Sequence, residues 1–380
     1  MTSDFNFRKD DIVFLLGAGC SADAGFLTST DMINDLENLI RGKSDKRDDV
    51  NWTEFQHLYY CVKSSIMYGD GMKGEFGDGT SINIERLVNT LTALEKRDDH
   101  ALSPFIANWN MNLEKILSGN SRLINEFKKA ILRKLRTWVT SRNYEKSDYY
   151  SRLFGFKSAF QFPLRVFTLN YDLCVEVNCR KSNLENGYLE RGFDENRNWV
   201  WGRFEDSDKP WIGIYLYKMH GSIDWEKDEN GSLTFSDDTG NVTDPHLIFG
   251  TDYKLQYIDP YLFFASEFRR YTLQSKIIVS LGYGFGDEHI NEMIGQSLRA
   301  DCKRILLFVT KASNVKNDIS KRQTLQKDIK RKVKEALHIT TDTQILLDDT
   351  GAEKFMREKL TREDLSAILP PEDNALKFDS

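Results

Sequence analysis

No stretch of this sequence approaches the ~18 consecutive apolar residues that a membrane span requires, so no membrane association is expected. The opening residues, MTSDFNFRKDD, lack an apolar core behind positive charges and do not read as a secretory leader. Cysteine is scarce. Five residues (Cys20, Cys61, Cys174, Cys179 and Cys302) are scattered along the chain, which excludes a disulfide framework and fits reduced thiols in the cytoplasm. A basic surplus is missing as well: 52 Lys and Arg stand against 58 Asp and Glu, a net charge of -6. Proteins whose main partner is nucleic acid normally show a basic domain or face, so no direct nucleic-acid partner is expected. Internal repeats, low-complexity segments and a metal-binding carboxylate pattern are also absent.

What is present is an ordinary globular mix. The 380 residues, 40% hydrophobic and 29% charged, supply a core for one large or two moderate domains. DIVFLL (11–16) reads as a buried strand running into the turn GAGCSADAG. From Ser29 the residues Met32, Ile33, Leu36, Leu39 and Ile40 recur at helical spacing, with Ser29, Thr30 or Asp31 as the cap. Residues 42–160 continue mostly helical. Ile84, Leu87, Val88, Leu91 and Leu94 form one apolar stripe; Leu123, Ile124, Phe127, Ile131, Leu135 and Trp138 form another. The five glycines of YGDGMKGEFGDGTS (68–81) predict a loop.

Short, continuous apolar runs then return: LRVFTLNYD (164–172), IGIYLYKMHGSIDW (212–225), HLIFG (246–250), SKIIVSLGYGFGD (275–287) and KRILLFVT (303–310). Parallel strands covered on both faces look like this. Helical patterns over 261–274 and 288–299 separate some of them. The expected fold is α/β, a Rossmann-like open, mostly parallel sheet with a large helical insertion at about 42–160 and its ligand at the carboxyl ends of the strands. Residues 1–310 form the main domain on this reading, and 311–380 a C-terminal extension. Within the extension, Leu325, Ile329, Val333 and Leu337 stripe a basic helix that either packs on the domain or docks a partner. TQILLDD (343–349) adds an edge strand, and the polar end LPPEDNALKFDS is expected to fray.

Gly17 and Gly19 let the backbone turn tightly and approach a ligand without Cβ contacts. The N–H groups that follow open a helix and favour a pyrophosphate, to which Ser21 adds a hydroxyl. The same turn also suits strand–helix packing alone. GAGCSA satisfies the dinucleotide fingerprint with alanine in third place. The acidic residue due about twenty positions later falls near Asp35 and Glu37, inside a helical pattern and not after a strand. An ordinary Rossmann dehydrogenase fails that test.

Three further strand ends carry polar residues: Asn170 and Asp172 in TLNYD, His220 in KMHGSIDW, and Gly282, Gly284, Gly286, Asp287 and Asn291 in LGYGFGDEHIN. Singly, they read as turn formers, a structural imidazole and a bend. In this order, behind a GAG turn, they resemble the sirtuin family, which carries a GAGxS turn, an Asn-x-Asp strand end and a His-Gly strand end. The resemblance covers roughly 8–310, and the helical insertion matches no motif. The phrasing of NIERL, TLNYD, HGSIDW and GYGFGDEHIN is similar to a divergent bacterial branch whose members cleave NAD in antiphage defence, some alongside a HerA-type ATPase. Two departures separate the chain from the protein deacylases of the family. Their zinc module needs two separated cysteine pairs, whereas Cys174 and Cys179 form the only close pair here, so no zinc is expected. Their turn continues into Pro, acid, Phe and Arg, where this chain has Phe26, Leu27, Thr28 and Ser29.

The resemblance therefore implies an NAD glycohydrolase, with NAD as substrate, held in check by assembly into a homo-oligomer or by a HerA-type ATPase or other activating subunit. The alternatives are a non-catalytic NAD or ADP-ribose binding subunit and an NAD-dependent deacylase or ADP-ribosyl transferase. Nicotinamide leaves NAD as a neutral ring, so the site needs no paired carboxylic acids. It must stabilise an oxocarbenium-like ribose and place a water. His220 suits a general base near neutral pH, and Asn170 suits orienting the water. By resemblance, Asp172 contacts the nicotinamide carboxamide or holds Asn170. Gly17, Ala18, Gly19 and Ser21 cradle the pyrophosphate, and Gly282 and Asp287 hold the adenosine end. Asp287 also suits capping the following helix.

Overall fold

The computed structural model describes residues 7–43, 49–74, 82–96, 115–117, 122–140, 144–160, 162–181, 188–205, 211–229, 231–239, 242, 245–247, 259–311 and 319–369. Two compact units are present, one drawn from 1–25, 143–245 and 256–380 and the other from 26–142 and 246–255. The expected insertion at 42–160 overlaps the second unit without coinciding with it.

The first unit is built on a seven-stranded sheet, with strands β1 (Ile12–Leu16), β2 (Leu164–Thr168), β3 (Tyr188–Glu190), β4 (Ile212–Lys218), β7 (Ile277–Leu281), β8 (Ile305–Val309) and β9 (Ile345–Asp348) in the order β3-β4-β2-β1-β7-β8-β9. Every pairing in it is parallel. Strands β5 (Trp225–Lys227) and β6 (Leu233–Phe235) form a separate antiparallel pair. All residues of β1, β2, β4, β7 and β8 are buried, which explains their continuous apolar sequences. Parallel strands need crossovers, and helices covering both faces leave no polar side. Strand order reverses about β1, where the chain runs outward to β2 on one side and to β7 on the other. In open α/β sheets that reversal opens a crevice beyond the carboxyl ends. The fold is the expected Rossmann-type open parallel sheet.

The helices Tyr261–Gln274 and Glu288–Ala300 fall where the periodicity placed them. β9 closes one edge of the sheet, as the reading of 343–349 anticipated. The basic helix Ile319–Leu337 buries Val333 and Leu337. An added Cβ on Gly295 would lie 2.3 Å from the Leu337 carbonyl oxygen, so this end of the helix packs closely on Glu288–Ala300. The strand expected at 246–250 lies largely outside the described residues, as do the tail beyond Leu369 and the second half (75–81) of the glycine-rich segment 68–81.

The second unit is helical: Ser29–Ile40, Gln56–Met72, Ile84–Glu95 and Arg122–Val139 bury Leu36, Leu58, Leu87, Phe127, Ile131 and Leu135. Two expectations are corrected here. The first helix is capped by Thr28, one residue earlier than expected, in a reciprocal box with Asp31. The glycine-rich loop begins later than expected, because Gly69 and Gly71 continue the helix to Met72. The carboxylate of Asp70 then receives both nitrogens of Arg86, at 2.9 and 2.6 Å, which ties two helices together inside this unit.

Candidate functional site

Four strands end side by side, and each delivers expected site residues to the same edge of the sheet. Gly17 follows β1, Asn170 and Asp172 follow β2, His220 follows β4, and Gly282 and Asp287 follow β7. Thr168 pairs with Lys218, so Asn170 and His220 both stand two residues beyond a paired position. The amide of Met219 still bonds the Thr168 carbonyl at 2.9 Å, which carries the register past the strand ends.

The glycines are explained by an interlock between two turns. A Cβ on Gly17 would meet the Tyr283 Cα at 2.6 Å, one on Gly19 the Gly282 carbonyl oxygen at 2.9 Å, and one on Gly282 the Cys20 nitrogen at 2.0 Å. Gly282 also has φ +65°, a left-handed conformation that glycine adopts without strain. The amides of Gly17 and Gly19 donate to the carbonyls of Leu281 and Gly282, each at 2.9 Å. Close backbone approach across the sheet, not only approach to a ligand, thus demands these residues. Gly282→Ala is expected to lower stability by roughly 2 kcal/mol or more. Gly284→Ala, where a Cβ meets nothing within 4 Å, should stay within about 0.5 kcal/mol of wild type. Thermal unfolding of the two variants checks this, and a neutral Gly282→Ala would contradict the interlock.

Behind the turn lies a buried hydrogen-bond hub. The Ser21 hydroxyl donates to Asp172 Oδ2 at 2.7 Å and accepts from Asn170 Nδ2 at 3.2 Å. Its oxygen is also 2.7 Å from the Tyr150 hydroxyl. One hydroxyl has a single proton, and Asp172 takes it, so Tyr150 donates. With Ser21 1% exposed, its hydroxyl works as a strut between Asp172 and Asn170 where a contact to pyrophosphate had been expected. Asn170 Nδ2 also donates to the Gly17 carbonyl at 3.0 Å, which fixes the amide's orientation. Asp172 Oδ1 accepts from the Cys174 amide at 2.9 Å. Asp172 therefore holds Asn170 through Ser21, one of the two roles considered for it.

A buried ion network supports the turn from below. Lys218, 1% exposed, donates to the carbonyls of Asp172 and Tyr171 and to Glu176 Oε1 at 3.2 Å. Arg191 grips Asp224 with two bonds of 2.8 and 2.9 Å and lies 3.5 Å from Glu176. Burial pushes the Asp224 carboxyl up, but the Arg191 guanidinium outweighs it and holds the group below its ordinary range.

His220, 4% exposed, places Nε2 at 3.2 Å from Asp287 Oδ2, and its Nδ1 has no hydrogen-bond partner. The Asp287 carboxylate also accepts from the amides of His289 and Ile290 at 3.1 and 3.4 Å, so it does cap the following helix. Burial drives the Cys20 thiol far above its ordinary range, which disfavours a nucleophilic thiolate there. Burial also raises Cys174 and pushes Cys179 up to about 11. Among the described residues, no group of three or more His, Cys, Asp or Glu side chains is placed to hold a metal. No described helix is long and apolar enough to cross a membrane.

Sequence reading missed Tyr150 and Lys218. Nothing local marks Tyr150, which lies 129 positions from Ser21. Lys218 did leave a signal: a lone cation ending the apolar run IGIYLYK.

A doubly covered parallel sheet with polar strand ends at its reversal point defines a Rossmann-type α/β protein. Residues 164–339 match the SIR2-like domain family, a segment holding Asn170, Asp172, His220, Gly282 and Asp287 but not the first glycine turn. Two solved structures resemble the chain at a TM-score of 0.39. One is a mutant Sir2 homologue in complex with 2'-O-acetyl ADP ribose (11% identity, covering 97% of this chain and 94% of that chain). The other is a Sir2 homologue–NAD complex (12% identity, covering 94% and 90%). No curated protein matches.

Proposed function

We propose that this chain cleaves the nicotinamide–ribose bond of NAD with water, giving nicotinamide and ADP-ribose. The observation that carries the reading is the pair Asn170 and His220. They stand in register at adjacent strand ends within a SIR2-like segment, and the His220 ring is buried with Nδ1 unbonded.

NAD, as substrate, lies on this reading across the carboxyl edge of the sheet. Its pyrophosphate is near Gly17, Ala18 and Gly19, and its adenosine end near Gly282. The Gly17 and Gly19 amides already serve Leu281 and Gly282, so other donors of the turn meet the phosphates. Asn170 Nδ2 is committed to Gly17 and Ser21, so Oδ1 is the atom that receives and orients the water. His220 takes that water's proton. The buried Ser21 hub keeps Asn170 in place as charge develops on the ribose.

A free NAD hydrolase depletes the cell, and the proposed biological setting is antiphage defence in the cytoplasm. There the chain is held as a homo-oligomer or switched on by a HerA-type ATPase or another subunit. Cys174 and Cys179 are the only close cysteine pair in the sequence, short of the four ligands of a structural zinc, which speaks for hydrolysis over protein deacylation. Product analysis tests the proposal: NAD incubated with the chain should yield nicotinamide and ADP-ribose in equal amounts. If NAD binds yet stays intact, with the chain alone and with a HerA-type ATPase, the chain is a binding subunit and the hydrolase reading is lost.

A further inference from the structure

We propose that Asp287 is a positioning residue for His220, fixing Nδ1 as the nitrogen that takes the proton; this rests on the hydrolase reading above. The two side chains meet at 3.2 Å, Nε2 to Oδ2, and each is 5% exposed. A carboxylate only accepts hydrogen bonds, so Nε2 carries the ring's proton and Nδ1 presents its lone pair. That assignment follows from the bonding network. It accounts for an otherwise costly feature, a buried acceptor with no partner.

The carboxylate is itself clamped. Oδ1 accepts from the amides of His289 and Ile290 at the start of Glu288–Ala300. The Asp287 amide donates to the Tyr283 hydroxyl at 3.2 Å, and that hydroxyl donates to Asn291 Oδ1 at 2.8 Å. Asn291 Nδ2 closes the loop on the Phe285 carbonyl at 2.9 Å. One oxygen is thus held by the helix, leaving the other for the imidazole. Asp287 thus combines the capping role with a contact to His220, where sequence reading had expected it to hold the adenosine end.

In the step itself, the water oxygen bonds to C1′ as the C1′–N bond breaks. The bonding pair leaves on the ring nitrogen of nicotinamide, which becomes neutral. The water proton moves to His220 Nδ1, and the Asp287 carboxylate stabilises the imidazolium through Nε2–H. The proton then passes to bulk water, so NAD and water become nicotinamide, ADP-ribose and one proton.

The test is Asp287→Asn, which retains an oxygen for the helix cap and whose folding is checked by its thermal midpoint. Two quantities are read: kcat and KM for NAD, and the His220 tautomer by nitrogen NMR on histidine-labelled protein, with His220→Gln assigning the signal. The proposal expects kcat to fall on the order of 100-fold or more, with KM within about threefold of wild type. It also expects an Nε2–H tautomer that is lost or mixed in the variant. A raised KM with kcat retained would make Asp287 a ribose ligand and overturn the proposal, as would a wild-type His220 protonated on Nδ1. The tautomer needs no turnover. A wild type that never cleaves NAD therefore overturns the hydrolase reading, while the tautomer still shows whether Asp287 holds the ring.

Discussion

His220→Ala should lower the rate of nicotinamide release at least ~100-fold, the usual scale for a positioned acid–base group, with the fold intact. The ring is buried at a strand end, bonded through one nitrogen to Asp287 and unbonded at the other. Removing it takes away the proton acceptor and leaves the sheet pairing of β4 untouched. Asn170→Ala should cost a similar factor for another reason. The attacking water loses its orientation, and Ser21 loses one of the two bonds it accepts. Groups acting as one unit are strongly non-additive, so the double variant should be little worse than the weaker single variant. Steady-state kinetics on the three proteins checks this. Full activity in both single variants would place the site elsewhere.

Much of this site was legible from the chain alone. Asn170, His220 and Asp287 announce themselves because each stands beyond the end of a buried, largely apolar strand. β3 (Tyr188–Glu190) was not legible: it is short, at the edge of the sheet, with Tyr188 half exposed, and carries neither alternation nor a continuous apolar run. The glycine turn left two readings open, because the atom that a Cβ would strike belongs to Gly282, far along the chain. Asp287 was ambiguous between cap and ligand for a related reason. One carboxylate has two oxygens, and only the fold shows that one of them meets His220. Sequence pattern reports what an element buries. It does not report which distant backbone lies against it.

The second large effect concerns stability. Arg191→Met should destabilise the protein by about 3–5 kcal/mol, because it leaves Asp224, 1% exposed, as a buried carboxylate without its bidentate partner. Thermal unfolding should show a midpoint roughly 5 °C lower. The pH dependence has a defined sign. In the wild type the Asp224 carboxyl lies below its ordinary value because Arg191 outweighs burial. Its contribution to stability is therefore complete above the ordinary carboxyl range and is lost as pH falls through the lowered folded value. In the variant, burial acts with Arg191 gone and the carboxyl rises, so protonation relieves the buried charge. The gap between wild type and variant should accordingly narrow from pH 7 towards about pH 4. A gap independent of pH would mean that lost packing, not the uncompensated carboxylate, is the cause.

The most direct measurement is the product analysis run in heavy-oxygen water. Water as the nucleophile at C1′ places one heavy oxygen in each ADP-ribose formed by the wild-type chain, with nicotinamide released in equal amount and both products falling together in His220→Ala. Nicotinamide release without labelled ADP-ribose, with the ADP-ribosyl group found on another acceptor, would contradict hydrolysis and identify the chain as a transferase.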